Sequence, residues 1–266
     1  MGHIINDETI GKLADILHPK EFGKGLDLAT RPNPGGLGYG ALASVPFNPD
    51  WLVPRHEWQA RIEERQRREW QLSDRIRLAK LPAKQQGHTN LCWANAPTAC
   101  VEVNRIVMNQ PLVILSPASV AGPINGYRNE GGWGLSALKR LVSSGAVPVE
   151  HWPANAIDRK FGTEANWRIG QAYRCVKWCE LEPGNLDQLI SMLFRNIPVA
   201  VGLSWWGHEV YACDPQWVDG AIAYRFRNSW GQWGTTGEPG QEGFSVLQGS
   251  KMNADDAVCP MSAKAS

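Results

Sequence analysis

A cysteine in the first half of the chain stands where a polar, glycine-containing stretch gives way to a helical pattern. The stretch reads Gln86-Gly87-His88-Thr89-Asn90-Leu91-Cys92-Trp93-Ala94-Asn95-Ala96. It predicts a loop that becomes a helix at Cys92 and continues to about Val107, with Asn90 as the cap. A helix N-terminus favours the thiolate, which is the nucleophilic form of cysteine. We therefore take Cys92 as a candidate nucleophile.

Two segments much later in the chain supply side chains that could activate this cysteine. They are Gly207-His208-Glu209-Val210 and Arg227-Asn228-Ser229-Trp230-Gly231. An imidazole beside a thiol can take its proton and favour the anion, and an amide bonded to the far ring nitrogen would hold that imidazole in place. We interpret Cys92, His208 and Asn228 as one constellation.

The residues around this constellation resemble those of the papain-like cysteine peptidases. The motifs that follow the family's order and spacing are Gln86-Gly87, Cys92-Trp93-Ala94, Leu115-Ser116, Gly131-Gly132, Ser136-Ala137-Leu138, Asn228-Ser229-Trp230-Gly231, Trp233-Gly234 and Gly243-Phe244. The resemblance covers about residues 73–250. It implies an α+β, papain-like, two-lobed fold. A helical lobe would carry the nucleophile, and a β-barrel-like lobe would carry the histidine and the asparagine.

The same resemblance implies a cysteine-type peptidase that hydrolyses peptide bonds through a thioacyl-enzyme. Cys92 would be the nucleophile and His208 the general base and acid, with Asn228 orienting the imidazole. The side-chain amide of Gln86 and the backbone N–H of Cys92 would form the oxyanion hole.

Peptide or protein substrates are the partners that the resemblance implies. Gly131 and Gly132 would offer their backbone to an extended substrate, because only glycine allows so close an approach. Trp230 would shield the hydrogen bond between histidine and asparagine. Cys175 and Cys179 lack a second pair of metal ligands, so we expect neither a metal nor another cofactor.

Four positions depart from the family pattern. The family's disulfide next to the nucleophile is replaced by Thr89 and Asn129. Pro97, five residues into the predicted helix, removes a backbone donor and should kink it. Glu209 stands where the family has a small residue, and we expect it to raise the pKa of the neighbouring histidine or to obstruct the cleft.

The first 72 residues form an N-terminal extension, and residues 251–266 form a C-terminal tail. Residues 8–18 predict a short amphipathic helix, and a Gly/Pro-rich arm follows, densest at residues 31–40. Residues 55–72 predict a charged surface helix. Trp58, Ile62 and Trp70 would lie on its apolar side. The extension is either a pro-segment or an arm that docks on assembly partners.

Within the central domain, hydrophobic periodicity predicts further helices followed by strands, which is typical of an α+β domain. The predicted helices cover residues 136–142 and 186–195. The predicted strands cover residues 199–203, 210–212, 221–226 and 244–247.

The bulk composition excludes some function classes. The formal net charge is 27 − 26 = +1, so no overall field favours nucleic acid or an anionic membrane. No apolar run is long enough to span a bilayer, and the first residues lack a secretory signal. Six cysteines in a chain of 266 residues do not indicate a disulfide framework, so we expect the protein to reside in a reducing cytoplasm. The alternative is a structural component of a larger assembly, such as a phage or virus particle, with a virion location.

Overall fold

The chain folds around two separate hydrophobic cores, one mainly helical and one built on a β-sheet. The computed structural model describes residues 2–27, 29 and 44–264. The predicted Gly/Pro-rich segment at residues 31–40 lies outside the described residues. Two cores with distinct secondary structure confirm the prediction of an α+β fold with two lobes.

The helical lobe forms the first core. Its helices are α3 (Leu72–Leu78), α4 (Cys92–Val107), α5 (Pro117–Ile124), α6 (Gly134–Ser143) and α7 (Glu164–Gly170). Helix α4 is buried along nearly its whole length and packs against α3, α5 and α6. It also packs against the sheet, so its N-terminus meets the boundary between the two cores.

The second lobe is a seven-stranded sheet with its own core. Its strands are β1 (Ile4–Ile5), β2 (Cys175–Glu180), β3 (Val199–Leu203), β4 (His208–Val218), β5 (Ala221–Arg227), β6 (Phe244–Gln248) and β7 (Asp256–Ala263). The strand order is β1-β6-β5-β4-β3-β7-β2. Helix α8 (Leu186–Phe194) packs on β3 and β4. Residues 251–266, set apart in the sequence as a tail, thus contribute an interior strand.

The N-terminal residues are integrated into the sheet lobe. Strand β1 pairs in parallel with β6, and a short helix α1 (Ala14–Leu17) follows a 3₁₀ turn. Helix α2 (Trp58–Arg67) buries Trp58 and Ile62 in the second core. Trp70 was predicted on the same side, but it follows the end of α2 and is 52% exposed. Its indole is covered on one face by a guanidinium instead.

Several predicted elements have the bounds that their periodicity indicated. Helix α4 begins at Cys92, ends at Val107 and continues through Pro97. Strand β3 also matches its prediction. The predicted cap was wrong, because Leu91 occupies the cap position and the Asn90 amide donates to the carbonyl of Asn129. Of the helices described, none is both long and apolar enough to cross a membrane.

Candidate active site

The candidate nucleophile lies at the boundary between the lobes. Cys92 is the first residue of α4 and is completely buried. Its sulfur lies against the backbone N–H of Glu209, the second residue of β4. Since His208 precedes Glu209, the fold brings the cysteine of the helical lobe next to the histidine of the sheet lobe.

His208 and Asn228 form a buried hydrogen bond of 2.8 Å between Nε2 and Oδ1. The Asn228 oxygen also accepts from the backbone N–H of Ser229, which fixes the orientation of the amide. The imidazole must therefore donate from Nε2, and its Nδ1 keeps the lone pair. Among the described residues this Nδ1 has no hydrogen-bond partner. It is available to accept a proton.

Two indole rings enclose this hydrogen-bonded pair. The Trp230 ring lies 4.5 Å from the His208 ring, and the Trp206 ring packs edge-on at 4.8 Å. Both tryptophans and Asn228 are buried. Water is thereby kept from the bond that orients the imidazole.

The two predicted oxyanion donors point at the same carbonyl oxygen, and that oxygen belongs to the chain itself. The backbone N–H of Cys92 lies 3.4 Å from the oxygen of Lys24, and Nε2 of Gln86 lies 3.3 Å from it. The Ser229 hydroxyl donates to Oε1 of Gln86, so the amide nitrogen is the atom that faces the chain crossing the site. It donates to the carbonyls of Gly23 at 2.7 Å and Thr89 at 2.8 Å, and the Lys24 carbonyl lies beside them. A peptide carbonyl is thus seated beside the candidate nucleophile.

Residues 22–27, called here the cleft segment, cross the boundary between the lobes over Cys92. Their backbone bonds to three glycines that line the cleft: Gly23 N–H donates to Gly87 (2.9 Å), Leu26 N–H donates to Gly207 (3.3 Å), and Gly132 N–H donates to Gly25 (2.8 Å). Phe22 stacks on Trp230 with ring centroids 5.5 Å apart. The cleft is therefore filled along its length.

Glycine at positions 23 and 25 permits this close fit. Gly25 has a φ of +115°, and a Cβ there would overlap the carbonyl of Asn90. A Cβ on Gly23 would overlap the carbonyl of Thr89 in the same way. On the opposite wall, a Cβ on Gly131 would lie 2.6 Å from the Gly25 oxygen. Backbone meets backbone on both sides of the segment.

Burial of the site sets the protonation states of Cys92 and His208. It raises the pKa of the Cys92 thiol, and the nearby Glu209 carboxyl adds to that shift. Burial lowers the pKa of His208 to about 3 against the hydrogen bond to Asn228, which raises it, and the Lys24 ammonium contributes to the lowering. The expected thiolate and the expected rise in the histidine pKa were both wrong for this covered form. Desolvation outweighs the helix terminus at Cys92 and the hydrogen bond that His208 donates to Asn228.

The position of the absent disulfide is held by hydrogen bonds instead. Asn129 accepts from the backbone N–H of Asn90 at 2.7 Å through its side chain. Thr89 donates its hydroxyl to the carbonyl of Gln86. All six cysteines of the chain are free thiols. The loop before Cys92 is therefore fixed without a covalent link.

The cleft segment is the part of the site that sequence reasoning missed. Its contacts are made mostly by backbone groups, which leave little trace in the pattern of side chains. The one signal is the Gly23-Lys24-Gly25 alternation. Such spacing is typical of a backbone that approaches another closely, but it does not say which backbone.

Comparisons with known proteins agree on the architecture. No protein-family model matches the chain. Zingipain-1 of Zingiber officinale is 27% identical over 135 residues, which is 49% of this chain and 58% of the relative, so the match spans less than two thirds of its length. Xylellain, a cysteine protease from Xylella fastidiosa, superposes with a TM-score of 0.55 at 21% identity, over 70% of this chain and 83% of xylellain.

Procathepsin L 3 from the larval midgut of Tenebrio molitor gives a TM-score of 0.63 at 15% identity. The superposition covers 95% of this chain and 79% of the procathepsin. The chain has the papain-like fold. The resemblance in the sequence and the predicted fold class are both confirmed.

The papain-like fold explains why residues so distant in sequence meet. The helical lobe presents Cys92 from the start of α4, and the sheet lobe presents His208 from the start of β4 and Asn228 from the residue after β5. Within residues 2–27, 29 and 44–264, no cluster of His, Cys, Asp and Glu side chains is arranged to hold a metal ion.

Proposed function

We propose that the chain is a cysteine-type peptidase whose cleft is covered by its own residues 22–27. The observation that carries the proposal is that the two donors beside the candidate thiol both hold carbonyl oxygens of this segment. The N–H of Cys92 donates to Lys24, and the amide of Gln86 donates to Gly23 at 2.7 Å and lies 3.3 Å from the oxygen of Lys24. Donors converging on a carbonyl oxygen beside a thiol are what acyl transfer to sulfur requires.

The reaction divides into acylation and deacylation. In acylation, the Cys92 sulfur attacks the substrate carbonyl carbon while Nδ1 of His208 takes the thiol proton. The two oxyanion donors stabilise the negative oxygen. His208 then gives the proton to the leaving amine, and the C–N bond breaks to leave a thioester on Cys92. In deacylation, His208 takes a proton from water, whose oxygen attacks the thioester carbon. The C–S bond then breaks, the acid leaves, and His208 returns the proton to the Cys92 sulfur.

The bond between Nε2 of His208 and Asn228 supports this role, because it keeps the basic lone pair on the ring nitrogen that faces away from the amide. Trp230 supports it by excluding water and by giving aromatic surface to the bound chain, as it does to Phe22. Gly132 supports substrate binding, since its N–H and carbonyl both bond to the cleft segment.

In this proposal the N-terminal extension keeps the peptidase inactive by covering its cleft, and does not serve only as a docking arm. Its residues 22–27 occupy the same donors that a substrate carbonyl would need. An assembly role for the rest of residues 1–72, and a cytoplasmic or virion location, stay predictions from the sequence.

The test is peptide hydrolysis by a full-length variant in which the cleft segment cannot seat. Gly25→Ala introduces a side chain at a φ of +115° against the Asn90 carbonyl, whereas a Cβ on Gly11 meets nothing within 4 Å. We expect Gly25→Ala, but not the control Gly11→Ala, to hydrolyse a mixed peptide library followed by mass spectrometry. Hydrolysis should vanish in Gly25→Ala/Cys92→Ala. Equal hydrolysis with and without Cys92 would contradict the proposal.

A further inference from the structure

A buried carboxyl next to the proposed active site has no role in the mechanism above. Glu209 is completely buried, and within the part of the chain that the structure describes neither of its carboxyl oxygens has a hydrogen-bond partner. Burial raises its pKa well above the ordinary value, and Asp256 adds to that shift. The Gly134 N–H lies close enough to oppose the shift in part, but its geometry falls short of a full hydrogen bond to the carboxyl. A buried carboxyl whose oxygens lack full hydrogen bonds is costly, and a ligand that pairs with it would remove that cost.

Strand pairing shows which way this carboxyl points. Gly202 of β3 lies directly opposite Glu209 on β4 and directly opposite Asp256 on β7. Directly opposed residues of neighbouring strands project from the same face of a sheet. The two acidic side chains therefore flank a glycine in one row across three strands.

The cleft segment passes over that glycine. A Cβ on Gly202 would lie 3.4 Å from Cδ1 of Leu26 and 3.5 Å from the Trp133 ring. The backbone around Leu26 is held by Gly132, and its side chain is only 7% exposed. Leu26 thus fills a space, the Gly202 pocket, that is walled by Trp133, Gly202, Glu209 and Asp256.

Glycine at position 134 leaves room for the carboxyl at this wall. A Cβ there would overlap Oε1 of Glu209. Burial lowers the pKa of the Lys139 ammonium, and the nearby acidic groups Glu180 and Asp256 oppose that shift. The other nearby cation, Lys24, directs its ammonium to His18 and to the carbonyl of Trp206. Neither cation therefore pairs with the Glu209 carboxyl.

We propose that the Gly202 pocket binds a lysine or arginine side chain of the peptide in the cleft, and that Glu209 is the residue that selects it. An aliphatic side chain such as that of Leu26 fills the space above Gly202 but cannot donate a hydrogen bond to the Glu209 carboxyl. A longer cationic side chain from the same backbone position reaches along the row of opposed residues and forms a charge-assisted hydrogen bond with it. The preference for a basic substrate side chain rests on the proposed peptidase function.

The cleft segment serves as a built-in peptide for the test. Iodoacetamide can reach Cys92 only when the segment leaves, so the rate of Cys92 alkylation in the full-length chain, mapped by mass spectrometry, reports how firmly the segment is held. Four variants form a double-mutant cycle: Leu26→Lys and Leu26→Met, each made with the native Glu209 and with Glu209→Gln. Comparing Leu26→Lys with Leu26→Met inside one background cancels any effect of residue 209 on the thiol itself.

We expect the ratio of alkylation rates, Leu26→Lys over Leu26→Met, to be about tenfold lower with Glu209 than with Glu209→Gln, as a coupled charge pair requires. An equal ratio in both backgrounds would overturn the proposal. If Glu209→Gln does not fold, a series at position 26 in the native background replaces it. Alkylation should then be slower for Leu26→Lys than for Leu26→Met and fastest for Leu26→Glu, and equal rates for lysine and glutamate would overturn the proposal.

These outcomes are independent of turnover. Alkylation needs a thiol and a departing segment but no peptide hydrolysis, so a protein without peptidase activity would still give the full result. Conversely, hydrolysis by Gly25→Ala together with an equal alkylation ratio would leave the peptidase function standing and remove only the basic pocket.

Discussion

At the scale of single residues, the thiol and the imidazole of the covered site are both neutral. His208 has an ordinary pKa of 6.5 and a pKa of about 3 under the cleft segment, mainly because burial disfavours the imidazolium. The Cys92 thiol is kept protonated by the same burial. A thiol and a neutral imidazole are less reactive than the ion pair, so covering the site lowers its reactivity as well as its accessibility.

The lowered pKa of His208 gives the stability of the fold a definite pH dependence. Between pH 6.5 and about 3 the unfolded chain binds a proton at His208 that the folded chain does not bind. Acidification through that window therefore lowers the free energy of unfolding, by up to about 1.4 kcal/mol per pH unit. Urea midpoints should fall more steeply with acid in the wild type than in His208→Gln. The exposed control His56→Gln should keep the wild-type slope, and parallel slopes in all three would refute this origin.

At the scale of elements, a buried ion pair ties the residues before the site to the central helix. Lys84 Nζ contacts the Glu102 carboxylate of α4 and donates to the carbonyl of Leu115 at 2.7 Å. The same carboxylate accepts from the Leu115 N–H. The side chains of Lys84 and Glu102 are 7% and 1% exposed. This pair fixes the chain two residues before Gln86.

Removing one partner should leave the other charge buried alone. We expect Lys84→Met to lower the free energy of unfolding by about 3–5 kcal/mol, and Lys84→Met/Glu102→Leu to recover part of that loss. Chemical denaturation measures both. The matched control is Lys12→Met at an exposed position, with a change within about 0.5 kcal/mol. A cost for Lys84→Met no larger than that of the control would show that the pair contributes little.

Elements were predictable where one side-chain pattern dominates. The helix from Cys92 to Val107 follows a clear change from loop to helical pattern, and strand β3 is a continuous apolar run, so the bounds of both were predicted. Strand β7 was missed because it begins at Asp256, directly after Asp255, and contains Pro260, which argues against an interior strand. Tertiary pairing with β3 and β2 overrides that local signal.

At the scale of the whole molecule, the two lobes meet along a cleft that the N-terminal extension already occupies. The sequence motifs predicted which side chains would gather there, because each motif has its own local signature. The occupant could not be predicted, since residues 22–27 bind through backbone groups and two glycines whose partners lie 60 or more residues away. Backbone contacts between segments distant in the chain leave neither a hydrophobic period nor a motif in the sequence.

The central claim, that Cys92 is an activated nucleophile covered by its own chain, is tested most directly by its reaction with an epoxide thiol inhibitor. Labelling of full-length protein is followed by mass spectrometry in the wild type, Gly25→Ala and Gly25→Ala/His208→Ala. We predict slow labelling in the wild type and fast labelling in Gly25→Ala. The additional loss of His208 should slow labelling by about a hundredfold or more. Equal rates with and without His208 in the uncovered protein would contradict the claim.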